Sequence, residues 1–126
     1  MKLTSAEQKE VNDFFREYVD NVRYKNPMNS VRLNVDHTDE HRRMIFEVCN
    51  ALIAEKIPFW TEVRLKCGCI PDIVCPTNVK PIIEVLSSET EKDFYEKKHH
   101  KYPQELQRSS IVLVSAHKEF QIKEIF

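Results

Sequence analysis

Residues 70–86 read IPDIVCPTNVKPIIEVL, and this stretch decides the fold. Two runs rich in β-branched residues, 70–75 and 80–86, flank a short turn segment, so the pattern predicts a β-hairpin. Side chains two residues apart on a strand point to the same face of a sheet. Asp72 therefore lies in line with apolar residues of the first strand, and Glu84 does so on the second. Each strand carries one acid at an otherwise apolar position.

Acids at such positions need a partner, because removing a carboxylate from water costs several kcal/mol. Two carboxylates that converge also repel each other unless they share a cation. Oxygen ligands of this kind suit Mg²⁺ or Mn²⁺. The hairpin therefore predicts a metal site at Asp72 and Glu84, and salt bridges from these acids to lysine or arginine are the alternative.

The flanking sequence completes an α/β pattern. Helical spacing of apolar residues predicts helices over residues 5–22, 39–56 and 88–102. Alternation predicts a half-buried strand over residues 59–65. The almost wholly apolar run at residues 111–115 predicts a fourth strand that is buried on both faces.

The remaining segments are a linker and a tail. Turn-forming residues mark residues 23–37 as a linker, in which Val31, Leu33 and Val35 leave open a short strand. The tail, residues 117–126, favours a short helix over an edge strand. We expect a single domain over residues 1–126, made of an N-terminal helix and linker, a core and a C-terminal extension, with bounds at 1–37, 38–116 and 117–126.

Composition narrows the class of protein. Among 126 residues, 41% are hydrophobic and 31% are charged, which is typical of a folded globular domain rather than a disordered or membrane chain. The polar start favours a cytoplasmic protein without a membrane partner. The one glycine, Gly68, excludes a glycine-rich phosphate loop. The four cysteines are expected as free thiols, because their spacing does not fit a structural zinc site.

The hairpin resembles a known motif. Pro71-Asp72, the turn and Ile83-Glu84-Val85 resemble the PD-(D/E)XK motif of restriction-endonuclease-like and Holliday-junction-resolvase-like nucleases. The resemblance covers residues 39–115, where the predicted order of helix, three strands, helix and strand is that of the family core. It implies an αβββαβ core with a central mixed four-stranded sheet flanked by helices, preceded here by an extra N-terminal helix.

The resemblance also implies roles for individual residues. Asp72 would be the principal metal ligand, Glu84 the second, and the backbone carbonyl of Val85 would complete the set around Mg²⁺ or Mn²⁺. Glu47 resembles an acid that many members carry on the helix before the first strand, where it would assist metal binding and catalysis. Glu62 is a weaker candidate of the same kind.

The sequence departs from the family at the motif lysine. Leu86 stands where the family usually places a lysine that orients the attacking water or stabilises the transition state. Some members carry this lysine on a neighbouring element. The helix after the hairpin offers Lys97, Lys98 and Lys101, and we favour Lys98 because it lies one turn from the apolar Phe94.

Two basic clusters are expected to contact phosphates, which would position a nucleic acid without reading its sequence. One is Lys97, Lys98 and Lys101, and the other is Arg42 and Arg43 on the second helix. Solvated helix faces are the alternative for both. The net charge of −1 shows that any such contact must be local.

These observations predict a divalent-metal-dependent nuclease that hydrolyses phosphodiester bonds, with DNA as the preferred substrate. A catalytically degenerate nuclease fold that binds nucleic acid or a protein partner is the first alternative, since Leu86 replaces the lysine. A small interaction protein with a chance match to the motif is the second. The first helix either packs on the sheet or forms a homodimer contact.

Overall fold

The computed structural model describes residues 1–20, 26–107 and 109–126. The predicted end of the first helix at residue 22 and the first linker residues, 23–25, lie outside these ranges. The helices are α1 (Ser5–Tyr18), α2 (Asp39–Ala54), α3 (Glu91–Lys97) and α4 (Gln104–Gln107), and the strands are β1 (Trp60–Thr61), β2 (Ile73–Val74), β3 (Ile82–Leu86) and β4 (Ile111–Ser115). Two 3₁₀ turns, His99–Lys101 and Ile122–Ile125, complete the described elements.

The strands form one mixed four-stranded sheet in the order β1-β2-β3-β4. β1, β2 and β3 pair antiparallel, and β4 pairs parallel to β3. A parallel pair needs a crossover connection, and the helical segment from α3 to α4 supplies it. The prediction of an α/β protein with a mixed four-stranded sheet is confirmed.

Each face of the sheet packs against its own set of helices. Alternation along β3 sends Ile82 and Leu86 to one apolar cluster, with α1 and Phe94 of α3. It sends Ile83 and Val85 to the other cluster, with α2. Burying one such aliphatic side chain contributes about 1.5 to 3 kcal/mol, so the two clusters fix the sheet between its helices.

Threonine side chains begin three of the helices. Thr4 and Glu7 form a capping box at α1, and Thr90 and Asp93 form another at α3. The Thr38 hydroxyl accepts the backbone N–H of His41 at the start of α2. The third helix is predicted from residue 88, with Ser88 as its cap. This prediction is wrong, because the cap is Thr90 and the helix begins at Glu91.

The third predicted helix is also divided. α3 ends at Lys97 and a 3₁₀ turn follows. A separate short helix, α4, begins directly after Pro103, where the predicted helix ended. Proline suits the start of a helix because it lacks the N–H that would have no partner there.

Strand β1 is shorter than the alternation predicts. Glu62 adopts a left-handed backbone conformation with φ of 56°, which a strand does not tolerate. As a result Trp60 and Val63, three residues apart, pack into the same apolar cluster. β2 is likewise shorter than residues 70–75, so Asp72 lies in a bend just before it.

Other local predictions have mixed outcomes. The described linker residues, 26–37, contain no strand, and Val35 is 89% exposed. Ile53, predicted on the buried stripe of α2, is exposed because that stripe follows Val48 and Leu52. β4 packs on both faces, although Val112 and Val114 are buried more fully than their neighbours. The tail forms a single 3₁₀ turn that buries Ile125.

Within the described ranges, none of the helices has the length and apolar character needed to cross a membrane.

Candidate metal centre

Asp72 and Glu84 meet where β2 separates from β3. The last strand partners on this side are Ile73 and Ile83. Beyond them the backbone N–H of Val85 donates to Oδ2 of Asp72 at 2.7 Å. In return, the N–H of Asp72 donates to Oε1 of Glu84 at 2.9 Å. Each carboxylate therefore replaces a ladder hydrogen bond that the shortened β2 no longer makes, and the two acids are held together.

The close approach of the acids changes the charge state of Glu84. Burial raises the pKa of Glu84, and the negative charge of Asp72 raises it further, to about 8. The hydrogen bond from the N–H of Asp72 and the positive charge of Lys98 lower the pKa of Glu84, but by less than burial and Asp72 raise it. Such a site favours either a proton or a cation beside Glu84.

Lys98 approaches the acids from the end of α3. Its Nζ donates to Oε1 of Glu89 at 3.0 Å. Partial burial lowers the pKa of Lys98, but the hydrogen bond to Glu89 and the charges of Glu84 and Asp72 outweigh burial and raise it. Lys98 is therefore a charged group that pairs with Glu89 and lies within electrostatic reach of both acids.

Two surface cavities meet at Lys98. One, of about 320 Å³, is lined by Glu84, Lys101, Tyr102 and the turn at Gly68. The other, of about 340 Å³, is lined by His37, His41, Val85 and the hydroxyl residues Thr38, Ser87 and Ser88. Lys98 borders both cavities, and of the two acids Glu84 lines the first cavity.

Two histidines occupy the side of Asp72 that faces α2. Nε2 of His41 lies 3.2 Å from Oδ2 of Asp72, and these side chains are only 13% and 12% exposed. The His37 ring stacks on the His41 ring, with centroids 3.9 Å apart and planes 1° from parallel. One ligand atom from each of His37, His41 and Asp72 lies within 4.8 Å of the others. This geometry is suited to a metal ion.

The loop that carries His37 is held in place by Arg42. The Arg42 guanidinium binds the backbone carbonyl of His37 and the carboxylate of Asp39. The N–H of His37 donates to the carbonyl of Asn34 at 3.1 Å. Arg42 therefore orders the loop, and its donors are occupied within the protein rather than free for phosphate.

Glu47 is not brought to the acid pair. The buried stripe of α2 includes Ile45 and Val48, and Glu47 projects from the opposite, exposed side. It lines a surface groove with Arg43 and Phe46 instead. The prediction that Glu47 assists the metal is not supported by its position, because the same helix directs His41 at Asp72.

Of the other residues predicted for the site, one lines a cavity and the rest lie on the surface, in the segment after β1 or in the core. Lys101 lines the cavity beside Glu84, whereas Lys97 is exposed next to Lys98. Glu62 lies in the irregular segment after β1, outside both cavity linings. Leu86 is 5% exposed within the apolar cluster, so the motif position has become part of the core.

The cysteines form no disulfide. Burial raises the pKa of the Cys49 and Cys75 thiols to about 12. Cys67 and Cys69 flank the tight turn at Gly68, closed by the N–H of Leu65 donating to the carbonyl of Cys69 at 2.8 Å. The two turn cysteines line the cavity that contains Glu84.

Neither His37 nor His41 is among the site residues predicted from the sequence. Their spacing of four residues is a signal that could have been used, because residues four apart lie on the same side of a helix. His37 precedes the helix, however, so the sequence alone does not show that its ring stacks on His41.

In comparisons with known proteins, the chain matches no protein-family model, no curated protein and no solved structure.

Proposed function

We propose that this chain is a divalent-metal-dependent nuclease of the PD-(D/E)XK type, which hydrolyses phosphodiester bonds in DNA. The observation that carries the proposal is that Glu84 accepts the N–H of Asp72, while Asp72 accepts the N–H of Val85, at the point where β2 leaves β3. The order of α2, three strands, α3 and a parallel β4 supports a restriction-endonuclease-like arrangement.

The residues around the acid pair fit a divalent cation. Asp72 and Glu84 would supply carboxylate oxygens, and the carbonyl of Val85 would supply a third. The fit rests on two acids that repel each other in a half-buried place, which a shared cation would relieve. Once bound, such an ion lowers the pKa of water and stabilises charge on the phosphate.

Lys98 is proposed to supply the positive charge that the motif position lacks. Leu86 is buried in the core, whereas Lys98 borders both cavities and lies within electrostatic reach of both acids. A positive group near a transferring phosphate stabilises the charge that develops in the transition state. Lys98 would act as a positioning and electrostatic residue from α3.

Lys101 and Lys97 are proposed to contact the phosphates on either side of the scissile bond. Lys101 lines the cavity beside Glu84, and Lys97 is exposed on the same segment. Contacts of this kind position the backbone without reading its sequence. Arg42 contributes less because its guanidinium is occupied, and Arg43 lies with Glu47 on the outer face of α2.

The test is cleavage of single-stranded, double-stranded and branched DNA in the presence of Mg²⁺ or Mn²⁺. We expect cleavage by the wild-type chain, its loss on chelation, and its loss in the double variant Asp72→Ala, Glu84→Ala. The matched control replaces two exposed acids, Glu10→Ala and Glu47→Ala, and should cleave normally. Cleavage by the Asp72 and Glu84 double variant at the wild-type rate would refute the proposal.

A degenerate nuclease fold that binds nucleic acid or a protein partner is the second candidate. The burial of Leu86 at the motif position favours it. Calorimetry with millimolar Mg²⁺ and Mn²⁺ separates the two candidates, because an absence of binding indicates the degenerate module. A structure in which Asp72 and Glu84 point apart would establish the chance-match alternative; here Glu84 accepts the N–H of Asp72, and Asp72 accepts the N–H of the next residue on β3, Val85.

A further inference from the structure

We propose that His37, His41 and Asp72 form a binding site for a transition-metal ion, with Co²⁺ and Zn²⁺ bound in preference to Mg²⁺. The proposal deepens the proposed function and rests on it in one respect, since Asp72 belongs to both sites. It adds two nitrogen ligands from outside the hairpin and specifies the class of metal.

The geometry of the three side chains carries the proposal. Their ligand atoms lie within 4.8 Å of one another, which small side-chain rotations can bring to the spacing of a shared ion. The His37 and His41 rings are stacked with centroids 3.9 Å apart, and rotation about their side-chain bonds would turn an in-plane lone pair of each ring toward one ion. Asp72 contributes an oxygen 3.2 Å from Nε2 of His41.

The hydrogen bond between His41 and Asp72 does not account for His37. Nδ1 of His37 is buried, and in the described part of the chain it has no hydrogen-bond partner. A buried polar atom left without a partner costs about 1 to 3 kcal/mol, so proteins usually satisfy it. His37 therefore keeps a ring nitrogen available as a ligand.

The surrounding structure orients the cluster before any ligand binds. Arg42 holds the carbonyl of His37, and the N–H of Asp36 donates to the side chain of Asn34 at 2.9 Å. Thr38 fixes the first turn of α2 beneath His41. Val85 donates to the oxygen of Asp72 that faces His41, which orients the carboxylate. Partners of this kind typically orient metal ligands in proteins.

The ligand types determine the metal. Imidazole nitrogens suit Zn²⁺ and Co²⁺ better than Mg²⁺, which prefers oxygen ligands and keeps its waters. A set of two imidazoles and one carboxylate leaves coordination positions open. The 340 Å³ cavity above the histidines provides space there for water or a phosphate oxygen.

The test measures metal binding directly, without relying on cleavage. Co²⁺ is titrated into the full chain and followed by its visible absorption, which reports nitrogen ligation, and Mg²⁺ binding is measured by calorimetry. We expect His37→Ala and His41→Ala each to weaken Co²⁺ binding by about 10- to 100-fold or more. Mg²⁺ binding should change little in His37→Ala. The matched control is His100→Ala, an exposed histidine on the 3₁₀ turn after α3.

A second measurement guards against a variant that fails to fold. In the wild-type chain, Zn²⁺ should shift the ring-nitrogen signals of His37 and His41 at concentrations that leave those of His100 in place. An equal shift of all three signals, or His37→Ala with wild-type Co²⁺ affinity, overturns the proposal. So does an absence of Co²⁺ binding by the wild-type chain.

The failure of this site and the failure of the proposed function are distinguishable. Co²⁺ binding that depends on His37 without any DNA cleavage supports the metal site and refutes the nuclease. The opposite result is Mg²⁺-dependent cleavage that requires Glu84, with the same Co²⁺ affinity in His37→Ala as in the wild-type chain. It supports the nuclease and refutes the metal site.

Discussion

The two sides of Asp72 differ in how the fold builds them. On one side, Glu84 is placed by the register between β2 and β3, and its partner is a backbone N–H. On the other side, His37 and His41 are placed by the packing of α2 on the opposite face of the sheet. The first side, called here the carboxylate side, offers oxygen ligands, and the second, the imidazole side, offers nitrogen ligands. Asp72 is shared, so a single bend in the chain joins the carboxylate side to the imidazole side.

The largest effect is expected when the shared residue is removed. Asp72→Asn keeps an oxygen that can accept the N–H of Val85 but loses the negative charge on both sides. Metal affinity should fall by more than the roughly 10- to 100-fold that the loss of an outer-shell partner costs. Calorimetry with Mg²⁺ and spectroscopy with Co²⁺ should both show the loss. Asp20→Asn, an exposed acid after α1, should leave both affinities unchanged.

A selective outcome would change the comparison. If Asp72→Asn weakened only Co²⁺ binding and left Mg²⁺ binding intact, the carboxylate side would not depend on Asp72. The proposed pairing of Asp72 with Glu84 would then be wrong.

The ionisation of Glu84 on the carboxylate side should make the free energy of unfolding depend on pH. The pKa of Glu84 rises from its usual value of 4.5 to about 8 in the folded chain. The folded state therefore binds this proton more tightly than the unfolded state does. The destabilisation caused by the charged Glu84 carboxylate is absent below the pKa of the unfolded state. It grows as the pH rises between the two pKa values and is constant above the pKa of the folded state. The free energy of unfolding should fall by up to about 1.4 kcal/mol per pH unit in that window.

Urea unfolding at a series of pH values measures this slope. Glu84→Gln should reduce it, since glutamine accepts the N–H of Asp72 without a charge, and Mg²⁺ should reduce it in the wild-type chain. Glu47→Gln, an exposed acid on α2, is the matched control and should retain the slope. A variant Glu84→Gln with the wild-type slope would show that another group titrates.

Lys98 should matter more for catalysis than for metal binding. Lys98→Ala removes the positive charge within electrostatic reach of both acids, and the loss of such a group typically costs about 100- to 1,000-fold in turnover. Mg²⁺ affinity should rise or stay constant, because a competing cation is removed from the site. Lys97→Ala, the exposed neighbour, should lower cleavage only a few-fold. Single-turnover cleavage at saturating metal makes the comparison.

A rescue variant sharpens this result. Leu86→Lys in the Lys98→Ala background places a lysine at the usual motif position, on the same face of β3 as Glu84. Partial recovery of cleavage would support the view that Lys98 took over the role of the missing lysine. Equal cleavage by Lys97→Ala and Lys98→Ala would contradict it.

Sequence reasoning predicted the carboxylate side because strand periodicity is a local property. The register from Ile73 to Ile83 follows from two apolar runs and a turn, and it brings Asp72 beside Glu84. The exact contact was not predictable, since Asp72 lies in a bend and not on a regular strand. That bend depends on how β2 ends, which alternation does not determine.

The imidazole side depends on contacts between distant segments. His41 and Asp72 are 31 residues apart in the chain, and only the packing of α2 on the sheet brings them together. Glu47 was chosen by resemblance, although Ile45 and Val48 already defined the buried face of the same helix. The end of β1 before Glu62 was also not predictable from the sequence, because residues other than glycine seldom adopt a positive φ.

The smallest effect concerns the cap that fixes α3 and therefore the position of Lys98. The hydroxyl of Thr90 accepts the N–H of Asp93 at 3.1 Å, and Asp93 accepts the N–H of Thr90 in return. Thr90→Ala should lower the free energy of unfolding by about 1 kcal/mol, measured by urea denaturation. Ser88→Ala is the matched control and should change stability little, because α3 begins after Thr90. If Ser88→Ala costs as much as Thr90→Ala, the helix begins where the sequence pattern placed it, and Lys98 then faces the acids from a different turn.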